Sequence, residues 1–493
     1  MRSISLEFPL MGEGAPLGAV AERARGTVLG DAGVVLTDVT HDSREAEEGS
    51  LFVAIRGRRQ DGHDYVTSAV AKGASAVCVE QRAPVRVPQL IVEDGRRALA
   101  QAAAVVHGDP SHRLAVVGVT GTDGKTTVTH LFESIARASG RVAATIGTLG
   151  ASVAGEQVAT ERTTPEASDL QRMLARMLGQ GVELVVMEVS SHALALHRVD
   201  EVRFRVAAFT NLGRDHLDFH AGLEDYLLAK ERLFHSPGLE GAAVWIEDPA
   251  GRRIASRTPV PVLRVGRSPE ADVWASALAP ELVGTRFTLH LLDDRIDLRL
   301  PLGGVFNVEN ALVAAGCAHL CGFGLAEIGA GLEAAPSLPG RFEIVSETKP
   351  FSVVVDYAHT PEGIKTMVTA ARAVTSGRVI VVFGAGGDRD RSKRPLMGKA
   401  AATADVVVVT SDNPRSERPE DIIRDVGAGV VAGGGYPLEV PDRRRAIRVA
   451  LSQALSGDTV LVLGKGHEQG QDLGDRTVPF DDRSVVREEL SGS

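Results

Sequence analysis

The segment 116–127, VVGVTGTDGKTT, joins an apolar run to a glycine-rich turn that carries a lysine and two threonines. Backbone N–H groups in such a turn point at an anion, and the dipole of the following helix favours negative charge there. Lys125 can neutralise the outer phosphates of a nucleotide, and the Thr126 hydroxyl can reach a bound magnesium ion. Because Val119 stands where the pattern G-x-x-x-x-G-K-[ST] has its first glycine, the segment predicts a compressed phosphate-binding loop, with a plain strand–turn–helix junction as the alternative. The predicted nucleotide contacts are Gly121, Thr122, Asp123, Gly124, Lys125, Thr126 and Thr127.

Two further side chains have the chemistry of magnesium ligands and lie downstream of this loop. Glu188 ends the apolar run LVVM, and His216 lies in the segment TNLGRDHLDFH. Magnesium binds few protein ligands besides phosphate oxygens, so Thr126, Glu188 and His216 are sufficient for a site. For Glu188 the alternative is a helix-capping or surface carboxylate. For His216 taken alone, an ordinary structural histidine is the better interpretation.

The composition of the chain excludes several classes of function. Of its 493 residues, 44% are hydrophobic and 24% are charged, and the formal net charge is −10. Such acidity argues against a duplex nucleic-acid binder, which normally carries a basic stripe. No apolar run approaches the ~20 residues that span a bilayer, and the N-terminal MRSISLEFPLMGEG lacks the apolar centre of a secretory signal. We therefore expect no nucleic-acid partner, no membrane insertion, a cytoplasmic location and reduced, buried cysteines at Cys78, Cys317 and Cys321.

Length and patterning divide the chain into three segments. The first, 1–112, mixes strand-like runs at 51–55 and 76–80 with an alanine-rich helical stretch, and it ends in the helix breaker HGDPSHR. The second, 113–338, alternates apolar runs with helical segments, which is typical of βαβ units and a parallel sheet. Within it, the stretch 285–302 alternates with period two and predicts an antiparallel hairpin appended to that sheet.

The third segment, 339–493, contains four near-continuous Val/Ile/Leu runs, each of which ends in polar or glycine residues. Such runs indicate strands buried on both faces, and ligands of open α/β sheets bind beyond the carboxyl ends of the strands. The expected fold class is therefore α/β with three domains. These are a small α/β N-terminal domain, a central P-loop domain whose mostly parallel sheet carries appended antiparallel strands, and a Rossmann-like C-terminal α/β domain.

The chain resembles the Mur ligase family, and within it the UDP-N-acetylmuramoyl-tripeptide synthetase type. Each motif is weak alone, but the order and spacing of the motifs across all three segments are highly specific. The matching motifs are DSR (42–44), GTDGKTT (121–127), TTP (163–165), MEVSSH (187–192), HRV (197–199), NLGRDHLDFH (211–220), AKERLF (229–234), FNVENALVA (306–314), LPGRFE (338–343), DYAHTPE (356–362), GGDRDRSKRPLM (386–397), DNPR (412–415) and GKGHE (464–468).

The resemblance implies an ATP-dependent amide synthesis. The γ-phosphate of ATP goes to the side-chain carboxylate of D-glutamate in UDP-N-acetylmuramoyl-L-alanyl-D-glutamate, and an amine then displaces phosphate from the acyl phosphate. A carboxylate is a poor electrophile, so catalysis is mainly positioning plus screening of phosphate charge. The implied cofactors are ATP and Mg²⁺. The implied partners are the muramoyl dipeptide and meso-diaminopimelate, and we expect a monomer.

The resemblance also assigns catalytic, metal and nucleotide roles. The implied catalytic residues are Lys125, His216 and Lys230. Lys230 aligns with a lysine that the family carries as a carbamate, which is an anionic oxygen ligand, whereas an exposed helix lysine is the alternative interpretation. The implied metal ligands are Thr126, Glu188, His216 and Lys230. The stretches that the family uses around the adenosine end of ATP contribute Asn310, Arg341 and Asp356.

Two groups of residues match substrate positions of the family. Ser43 and the turn Arg58-Arg59-Gln60 match where the uridine nucleotide is held, although arginines in a polar turn are usually only solvated. The positions that bind the muramoyl dipeptide are matched by Thr163, Thr164, Ser190 and Arg198. Two departures bear on substrate affinity: Leu196 stands where the family often has glutamine, and Asp123 replaces the more usual asparagine.

The tetrapeptide 412–415, DNPR, resembles the family signature for meso-diaminopimelate. An arginine fork can bind the second carboxylate of this amine bidentately, and such a charge-assisted pair contributes about 1.5–3 kcal/mol. L-lysine or L-ornithine, which lacks that carboxylate, is the alternative acceptor, and a β-turn held by Pro414 alone is the structural alternative. The implied amine-site residues are Arg389, Asp412, Asn413, Pro414, Arg415, Gly464 and Glu468.

Two other functions compete with this interpretation. A folylpolyglutamate synthetase-like enzyme shares the loop and the central sheet, but the first segment with DSR and LFVAIRG argues against it. A non-catalytic nucleotide-binding regulatory protein would keep the ATP site without turnover. The joint retention of Lys125, Glu188, His216 and Lys230 argues against that function.

Overall fold

Three large β-sheets, each formed by one stretch of the chain, organise the molecule. The computed structural model describes residues 14–57, 60–153, 156–160, 162–346 and 350–491. Helices pack against all three sheets, because the central strands are apolar on both faces. The predicted α/β class is confirmed, whereas the domain boundaries after residues 112 and 338 stay predictions.

The N-terminal sheet has five described strands, which are parallel except for one antiparallel pair at its edge. Both strands predicted from the apolar runs of this segment are observed. In spatial order the strands are Thr27–Leu29, Gln89–Ile91, Ala76–Val79, Ser50–Val53 and Asp38–Thr40, with Ala15–Pro16 and Val35–Leu36 pairing separately. The helices are Leu17–Ala24, Val66–Lys72, Gly95–Val106 and the 3₁₀ turns Gly62–Tyr65 and Pro110–His112.

The central sheet carries the glycine-rich turn at the carboxyl end of strand Ala115–Thr120. Its neighbouring strands run parallel from Ala143–Gly147 to Val273–Glu281, and the strands outside this range pair antiparallel. The described strands follow the order Glu156–Val158, Gly150–Val153, Ala143–Gly147, Leu184–Glu188, Ala115–Thr120, Phe204–Phe209, Gly241–Trp245, Val262–Val265, Val273–Glu281, Gly284–Leu291 and Asp294–Leu300. The helices are Lys125–Ala138, Ala167–Gly179, Ser191–Ala195, Leu223–Glu231, Pro249–Arg257, Val305–Leu320, Leu325–Glu333 and the 3₁₀ turn Arg232–His235.

The predicted antiparallel hairpin is confirmed at one edge of this central sheet. Strands Gly284–Leu291 and Asp294–Leu300 pair in register across a two-residue turn. Phe287 and Leu298 lie in the same buried cluster as apolar residues of helix Leu325–Glu333. The period-two alternation therefore reflects one face packed on a helix and one face in solvent.

The C-terminal sheet has five neighbouring parallel strands and one antiparallel edge strand. All four apolar runs predicted as strands form this sheet, and their polar ends meet at one edge. The described strands follow the order Glu343–Ser346, Ser352–Asp356, Thr459–Leu463, Val379–Phe383, Val406–Val409 and Pro437–Glu439, with a separate hairpin of Gly470–Asp472 and Thr477–Pro479. The helices are Pro361–Val374, Lys393–Ala401, Pro419–Ala432, Arg443–Gln453 and Asp482–Ser491.

The structure bears on two expectations drawn from composition, one about the cysteines and one about membrane-spanning helices. Cys78, Cys317 and Cys321 are buried free thiols, as expected. Within the ranges that the structure describes, no helix combines the length and the apolar character needed to cross a membrane.

Candidate active site

The predicted strand–turn–helix is observed: strand Ala115–Thr120 leads through four residues into helix Lys125–Ala138. Gly124, the last residue of the turn, has φ 85°, and a Cβ atom there would collide with the side-chain oxygen of Asn310. Only glycine fits this backbone conformation and this close approach. The turn therefore presents the N-terminus of a fourteen-residue helix to the space beside it, which is the geometry that favours phosphate.

Lys125 folds back over the same turn. Its Nζ donates to the carbonyl oxygens of Gly121 and Thr122 at 3.0 and 2.8 Å. Burial lowers the pKa of Lys125, although the carboxylates of Glu188 and Asp123 oppose this shift. The lysine is thus held above the loop, within reach of a phosphate group that enters it.

Thr126 and Glu188, two of the predicted metal ligands, are in direct contact. Thr126 Oγ1 donates to Glu188 Oε1 at 2.8 Å. The Glu188 carboxylate also accepts from the backbone N–H and the hydroxyl of Thr148, at 2.8 and 3.1 Å. Thr148 Oγ1 in turn lies 3.1 Å from the hydroxyl of Thr163, a predicted substrate residue. These oxygen atoms are the ligand type that Mg²⁺ prefers, so Thr126 and Glu188 fit the ion.

Lys230 is almost fully buried, so its interpretation as an exposed helix lysine is wrong. It lies on helix Leu223–Glu231, and its Nζ donates to the carbonyl oxygen of Gly121 at 2.7 Å. The same atom stands 4.3 Å above the centre of the Tyr226 ring. Burial and the positive charge of Lys125 hold the pKa of Lys230 well below its usual range. As an unmodified amine Lys230 contacts the phosphate loop, but it supplies no anionic oxygen to a metal ion.

His216 lies beside this loop in a left-handed backbone conformation, with φ 56°. Its ring centre is 4.7 Å from that of His192 and 6.1 Å from that of Tyr226. Burial lowers the pKa of His216 to about 3, so the imidazole is neutral near pH 7. Across the described part of the chain, no three His, Cys, Asp or Glu side chains are grouped to hold a metal ion. Of the four predicted metal ligands, Thr126 and Glu188 are in direct contact, and Lys230 contacts the same loop through Gly121.

A cleft of about 360 Å³ opens beside the loop and is lined by all three residues expected around adenosine, Asn310, Arg341 and Asp356. Arg341 Nη2 donates to Thr126 Oγ1 at 2.9 Å. The Nε atom of the same guanidinium is buried and has no hydrogen-bond partner among the described residues. A buried unpaired N–H next to a phosphate loop is a donor left available for an anion. The cleft therefore lies directly against the phosphate loop, with Asp123, Gly124 and Thr127 of that loop in its lining.

Asp215, which sequence reasoning missed, connects the central and C-terminal parts of the chain. Its carboxylate lies 3.4 Å from Lys393 Nζ and 3.5 Å from His359 Nε2. Although burial acts to raise it, the His359 hydrogen bond and the Lys393 charge hold the pKa of Asp215 well below its usual range. A nearby bond at 2.8 Å joins Arg214 Nη2 to Ser392 Oγ. The motif NLGRDHLDFH contains Asp215, but only the fold reveals its partners.

Arg389, predicted for the amine site, also reaches the central part of the chain. Its Nη1 lies 3.6 Å from Asp218 Oδ2. The charge of Asp218 raises the pKa of His192 and the charge of Arg389 lowers it, so both groups lie near this ring. The His192 ring in turn packs against His216 beside the phosphate loop. Arg389 is therefore connected, through Asp218 and the His192–His216 pair, to the segment beside the phosphate loop.

The remaining predicted amine-site residues gather around a fully buried lysine, Lys465. Its Nζ donates to Asn413 Oδ1 at 3.0 Å and to Glu468 Oε2 at 2.8 Å, and Asn413 Nδ2 donates to the same Glu468 oxygen at 2.9 Å. Gly464 has φ 113°, and a Cβ atom there would lie 2.6 Å from Asp412 Oδ2. The absence of a side chain at Gly464 leaves room for the Asp412 carboxylate. Sequence reasoning missed Lys465, although the motif GKGHE contains it.

Arg415 lies in a turn that begins at Pro414. The N–H of Glu417 donates to the carbonyl oxygen of Pro414 at 3.0 Å, whereas the N–H of Arg415 donates to the carbonyl oxygen of Asp472 at 3.1 Å, so the turn spans 414–417 and is not a turn of the DNPR tetrapeptide itself. Arg415 has φ 51°, and its Nη1 donates to the carbonyl oxygen of Gly387 at 2.7 Å. Its Nε lies 3.5 Å from Asp472 Oδ2. The turn and the cluster around Lys465 thus form one polar surface.

A second cavity, of about 790 Å³, lies where the N-terminal sheet meets the central part of the chain. Ser43 and Gln60, both predicted for the uridine nucleotide, line it together with Arg162. The predicted residues Arg58 and Arg59 lie outside the described residues. The cavity thus brings together polar residues of the N-terminal and central parts of the chain.

Three of the residues predicted for the muramoyl dipeptide are linked by hydrogen bonds to Glu188 and to Glu166, which lines this cavity. Thr164 Oγ1 donates to the Glu188 carbonyl oxygen at 2.8 Å and accepts from the Ser190 N–H at 3.1 Å. Arg198 Nη1 donates to the Thr164 carbonyl oxygen at 3.2 Å, and Arg198 Nη2 pairs with Glu166 at 2.9 Å. These contacts hold Thr164, Ser190 and Arg198 in one group.

The two departures from the family pattern occupy different positions. Asp123 lines the nucleotide cleft, and its N–H donates to Asn211 Oδ1 at 2.9 Å. Its carbonyl oxygen accepts from Thr210 Oγ1 at 2.6 Å, so the backbone of the loop is fixed at this residue. Leu196 directly follows the short helix Ser191–Ala195. Asp123 thus adds negative charge to the cleft without disturbing the backbone of the loop.

Comparison with known proteins identifies matches for all three parts of the chain. Three family models match successive parts of the chain: "Mur ligase family, catalytic domain" at residues 35–107, "Mur ligase middle domain" at 119–318, and "Mur ligase, glutamate ligase domain" at 340–466. A UDP-N-acetylmuramoyl-L-alanyl-D-glutamate--2,6-diaminopimelate ligase of Geobacillus thermodenitrificans is 44% identical over 454 residues, which cover 90% of this chain and 93% of the relative. The chain belongs to the Mur ligase family.

Solved structures agree with membership of the Mur ligase family. A structure described as UDP-N-acetylmuramoyl-L-alanyl-D-glutamate--2,6-diaminopimelate ligase is 31% identical and covers 96% of this chain and 99% of its own, with a TM-score of 0.69. The MurF ligase from Thermotoga maritima, crystallised in complex with ADP, shares the fold at 20% identity. It covers 92% of this chain and 97% of its own, with a TM-score of 0.66. The Mur ligase fold thus extends over all three sheets.

Proposed function

We propose that this Mur ligase adds meso-2,6-diaminopimelate to the D-glutamate side-chain carboxylate of UDP-N-acetylmuramoyl-L-alanyl-D-glutamate, with cleavage of ATP to ADP and phosphate, in peptidoglycan precursor synthesis. The observation that carries this proposal is the contact of Arg389, from the C-terminal part, with Asp218, which lies in the same segment as His216 beside the phosphate loop. This contact supports an arrangement in which the phosphate loop and the proposed amino-acid subsite serve one reaction. The relatives named for this reaction, which align with 90% of the chain and more, support the same conclusion.

The first step activates the acid. A carboxylate oxygen of D-glutamate attacks the γ-phosphorus of ATP, an O–P bond forms, and ADP leaves. Lys125, the helix N-terminus behind Gly124 and the unpaired Nε of Arg341 are placed to bind the negatively charged phosphate oxygens. Mg²⁺, when bound, would screen the phosphate charge, and Thr126 and Glu188 are the residues suited to hold it.

The second step forms the amide. The deprotonated amine nitrogen attacks the acyl carbon, a tetrahedral intermediate forms, and phosphate leaves with the oxygen that was phosphorylated. The carboxylates of Asp412 and Glu468 are placed to attract the distal ammonium, and Arg415 with Arg389 is placed to bind the distal carboxylate. L-lysine would leave Arg415 without this partner, so the geometry favours meso-diaminopimelate over the alternative acceptors.

Lys230 is proposed to act as a carbamate. Its lowered pKa leaves a larger share of neutral amine, which is the form that can attack the carbon of CO₂. The reaction forms an N–C bond and releases one proton, and it converts a cation beside Lys125 into an anionic oxygen ligand. His216, neutral near pH 7, is proposed to complete the metal site from the same side of the loop.

The muramoyl substrate is proposed to extend from the N-terminal cavity to the phosphate loop. Ser43 and Gln60 would hold its uridine nucleotide, and Arg198 with Ser190 and Thr164 would hold the dipeptide. We place the activity in the cytoplasm, in a monomeric enzyme. A regulatory protein without turnover is disfavoured, because both the phosphate loop and the amine cluster have well-formed polar contacts.

The proposed function is tested with the purified chain, ATP, Mg²⁺, bicarbonate and the muramoyl dipeptide. Phosphate release that requires meso-diaminopimelate, together with a product of the tripeptide mass, is the expected result. A strong preference for L-lysine or L-ornithine in parallel reactions would refute the assigned acceptor. Tight binding of both substrates without any phosphate release would instead favour the regulatory alternative.

A further inference from the structure

Two loops present arginines to the proposed amine subsite, and they follow neighbouring parallel strands. The loop after Val379–Phe383 carries Arg389, and the loop after Val406–Val409 carries Arg415. A Cβ atom built on Gly386 would lie 3.1 Å from Arg415 Nη1 and 3.7 Å from Arg389 Cγ. The side chains of Arg389 and Arg415 therefore both lie beside Gly386. The distance between the two loops thus determines the distance between the two guanidinium groups.

Glu417 ties these two loops together. Its Oε1 accepts from the backbone N–H of Asp388 at 2.7 Å, one residue before Arg389. The same oxygen accepts from Arg394 Nη2 at 2.7 Å, and Oε2 lies 2.9 Å from Arg391 Nη2. Glu417 itself belongs to the loop of Arg415. A single carboxylate of one loop thus binds the backbone and Arg391 of the other loop, together with Arg394 of the helix that follows it.

Asp388, the backbone partner of Glu417, adopts a conformation that non-glycine residues rarely occupy, with φ 53°. Such a conformation persists only where the surroundings enforce it. Besides the Glu417 bond, Ser416 Oγ donates to Asp388 Oδ1 at 2.6 Å. Both contacts come from the loop that carries Arg415, so that loop fixes the strained residue immediately before Arg389.

Arg394 keeps Glu417 in place and charged. The Arg394 side chain is almost completely buried, and its second nitrogen, Nη1, lies 3.0 Å from Asp425 Oδ2. The Arg394 hydrogen bond lowers the pKa of Glu417, which keeps the carboxylate anionic in the working pH range. Arg394 Nη2 also reaches the carbonyl oxygen of Gly386 at 3.5 Å, between the two flanking arginines. The pair of Arg394 and Glu417 therefore supports the backbone at Gly386, which lies beside both Arg389 and Arg415.

We propose that Glu417, anchored by Arg394, is a positioning residue for acceptor specificity. It fixes Asp388 and thereby sets the distance between Arg389 and Arg415 that matches the distal carboxylate of a diamino diacid. Glu417 acts through these arginines and does not itself touch the acceptor. This inference rests on the proposed function, because it concerns the same amine subsite.

The Glu417→Gln variant tests the inference, since it preserves side-chain size and an acceptor for the Asp388 N–H but removes the charge opposite Arg394 and Arg391. The KM for meso-diaminopimelate is expected to rise about tenfold, and the preference for it over L-lysine in kcat/KM to fall by a similar factor. The KM values for ATP and the muramoyl dipeptide should stay within about twofold, as should kcat at saturating acceptor.

The matched control is Asp425→Asn, which removes the other carboxylate of Arg394 and leaves the Glu417 contacts intact. All three KM values of this variant are expected to stay within about twofold of the wild type. Should Glu417→Gln fail to fold, Ser416→Ala removes only the hydroxyl bond to Asp388 and should raise the KM for meso-diaminopimelate about threefold.

Three results separate the possibilities. An unchanged KM for meso-diaminopimelate in folded Glu417→Gln, or an equal loss for all three substrates, would overturn the positioning role. An unchanged KM in Ser416→Ala would do the same where that variant is the one tested. Wild-type protein without diaminopimelate-dependent phosphate release would instead refute the proposed function, so the two failures are distinguishable.

Discussion

Arg341 and Thr126 are joined by a hydrogen bond of 2.9 Å, from the guanidinium Nη2 to the threonine Oγ1. Thr126 donates its own proton to Glu188 at 2.8 Å, so its hydroxyl is oriented by partners from both sides. The arginine precedes the C-terminal sheet, whereas the threonine opens the helix after the phosphate loop. Assembly of the nucleotide cleft therefore depends on how the C-terminal part sits on the central sheet.

Removal of this arginine should weaken nucleotide binding selectively. In Arg341→Met the bond to Thr126 and the unpaired Nε donor are both lost, while the aliphatic stem is kept. A charge-assisted hydrogen bond is worth about 1.5–3 kcal/mol, so the KM for ATP should rise about 10- to 100-fold. Steady-state kinetics with each substrate varied in turn measure this change. A rise confined to the KM for the muramoyl dipeptide would contradict the assignment of the cleft.

Neutralising Asp215 should loosen the contact between the central and C-terminal parts. Asp215→Asn leaves Lys393 and His359 without a compensating charge, and losing one partner of a buried pair costs about 3–5 kcal/mol. Small-angle scattering should show a larger radius of gyration for this variant. Asp405→Asn is the control, because Asp405 pairs with Arg372 within the C-terminal part. Superimposable scattering of wild type and Asp215→Asn would refute the role of Asp215 in domain contact.

Arg415 should determine which amine is used. Arg415→Ala removes the fork proposed for the distal carboxylate and should lower kcat/KM for meso-diaminopimelate by about 10- to 100-fold, with little change for L-lysine. Binding of ATP should be unaffected, since Arg415 lies in the C-terminal amine cluster. Competition between the two amines, with products separated by mass, measures the preference. Equal losses for both amines would show that Arg415 supports the loop and does not read the carboxylate.

Stability at acid pH should depend on His467. Burial and the positive charge of Arg341 lower the pKa of His467 to about 4, against about 6.5 in an unfolded chain. Between these values the unfolded state binds more protons, so the free energy of unfolding falls as pH is lowered, by up to about 1.4 kcal/mol per pH unit. His467→Gln should remove this part of the slope. Urea denaturation of both proteins at several pH values from 7 to 4 tests it, and identical slopes would count against a neutral buried imidazole.

The elements of the fold were predictable where local pattern decides them. Continuous Val runs gave the strand Val406–Val409, and period-two alternation gave the hairpin around Leu292. The turn before Lys125 was recognisable because glycines and a lysine have few other uses at a strand–helix junction. In each case the signal lies within about twenty residues of the sequence.

Contacts between distant segments were not predictable from pattern. Asp215, Lys393 and His359 are separated by long stretches of chain, and nothing local to each indicates an ion pair. In the sequence Lys465 is one residue of the glycine-rich segment GKGHE. In the structure it is fully buried and contacts Asn413 and Glu468 at the centre of the amine cluster. The roles assigned to substrate and metal residues came from family resemblance, and for His216 and Lys230 the structure adds their proximity to the phosphate loop.

The proposed reaction is tested most directly by phosphate release from the wild-type chain when each of ATP, UDP-N-acetylmuramoyl-L-alanyl-D-glutamate and meso-diaminopimelate is omitted in turn. Release is expected to require all three substrates and to yield one tripeptide product per phosphate. Stoichiometric release without the muramoyl dipeptide, or none with the complete mixture, would contradict the proposed reaction.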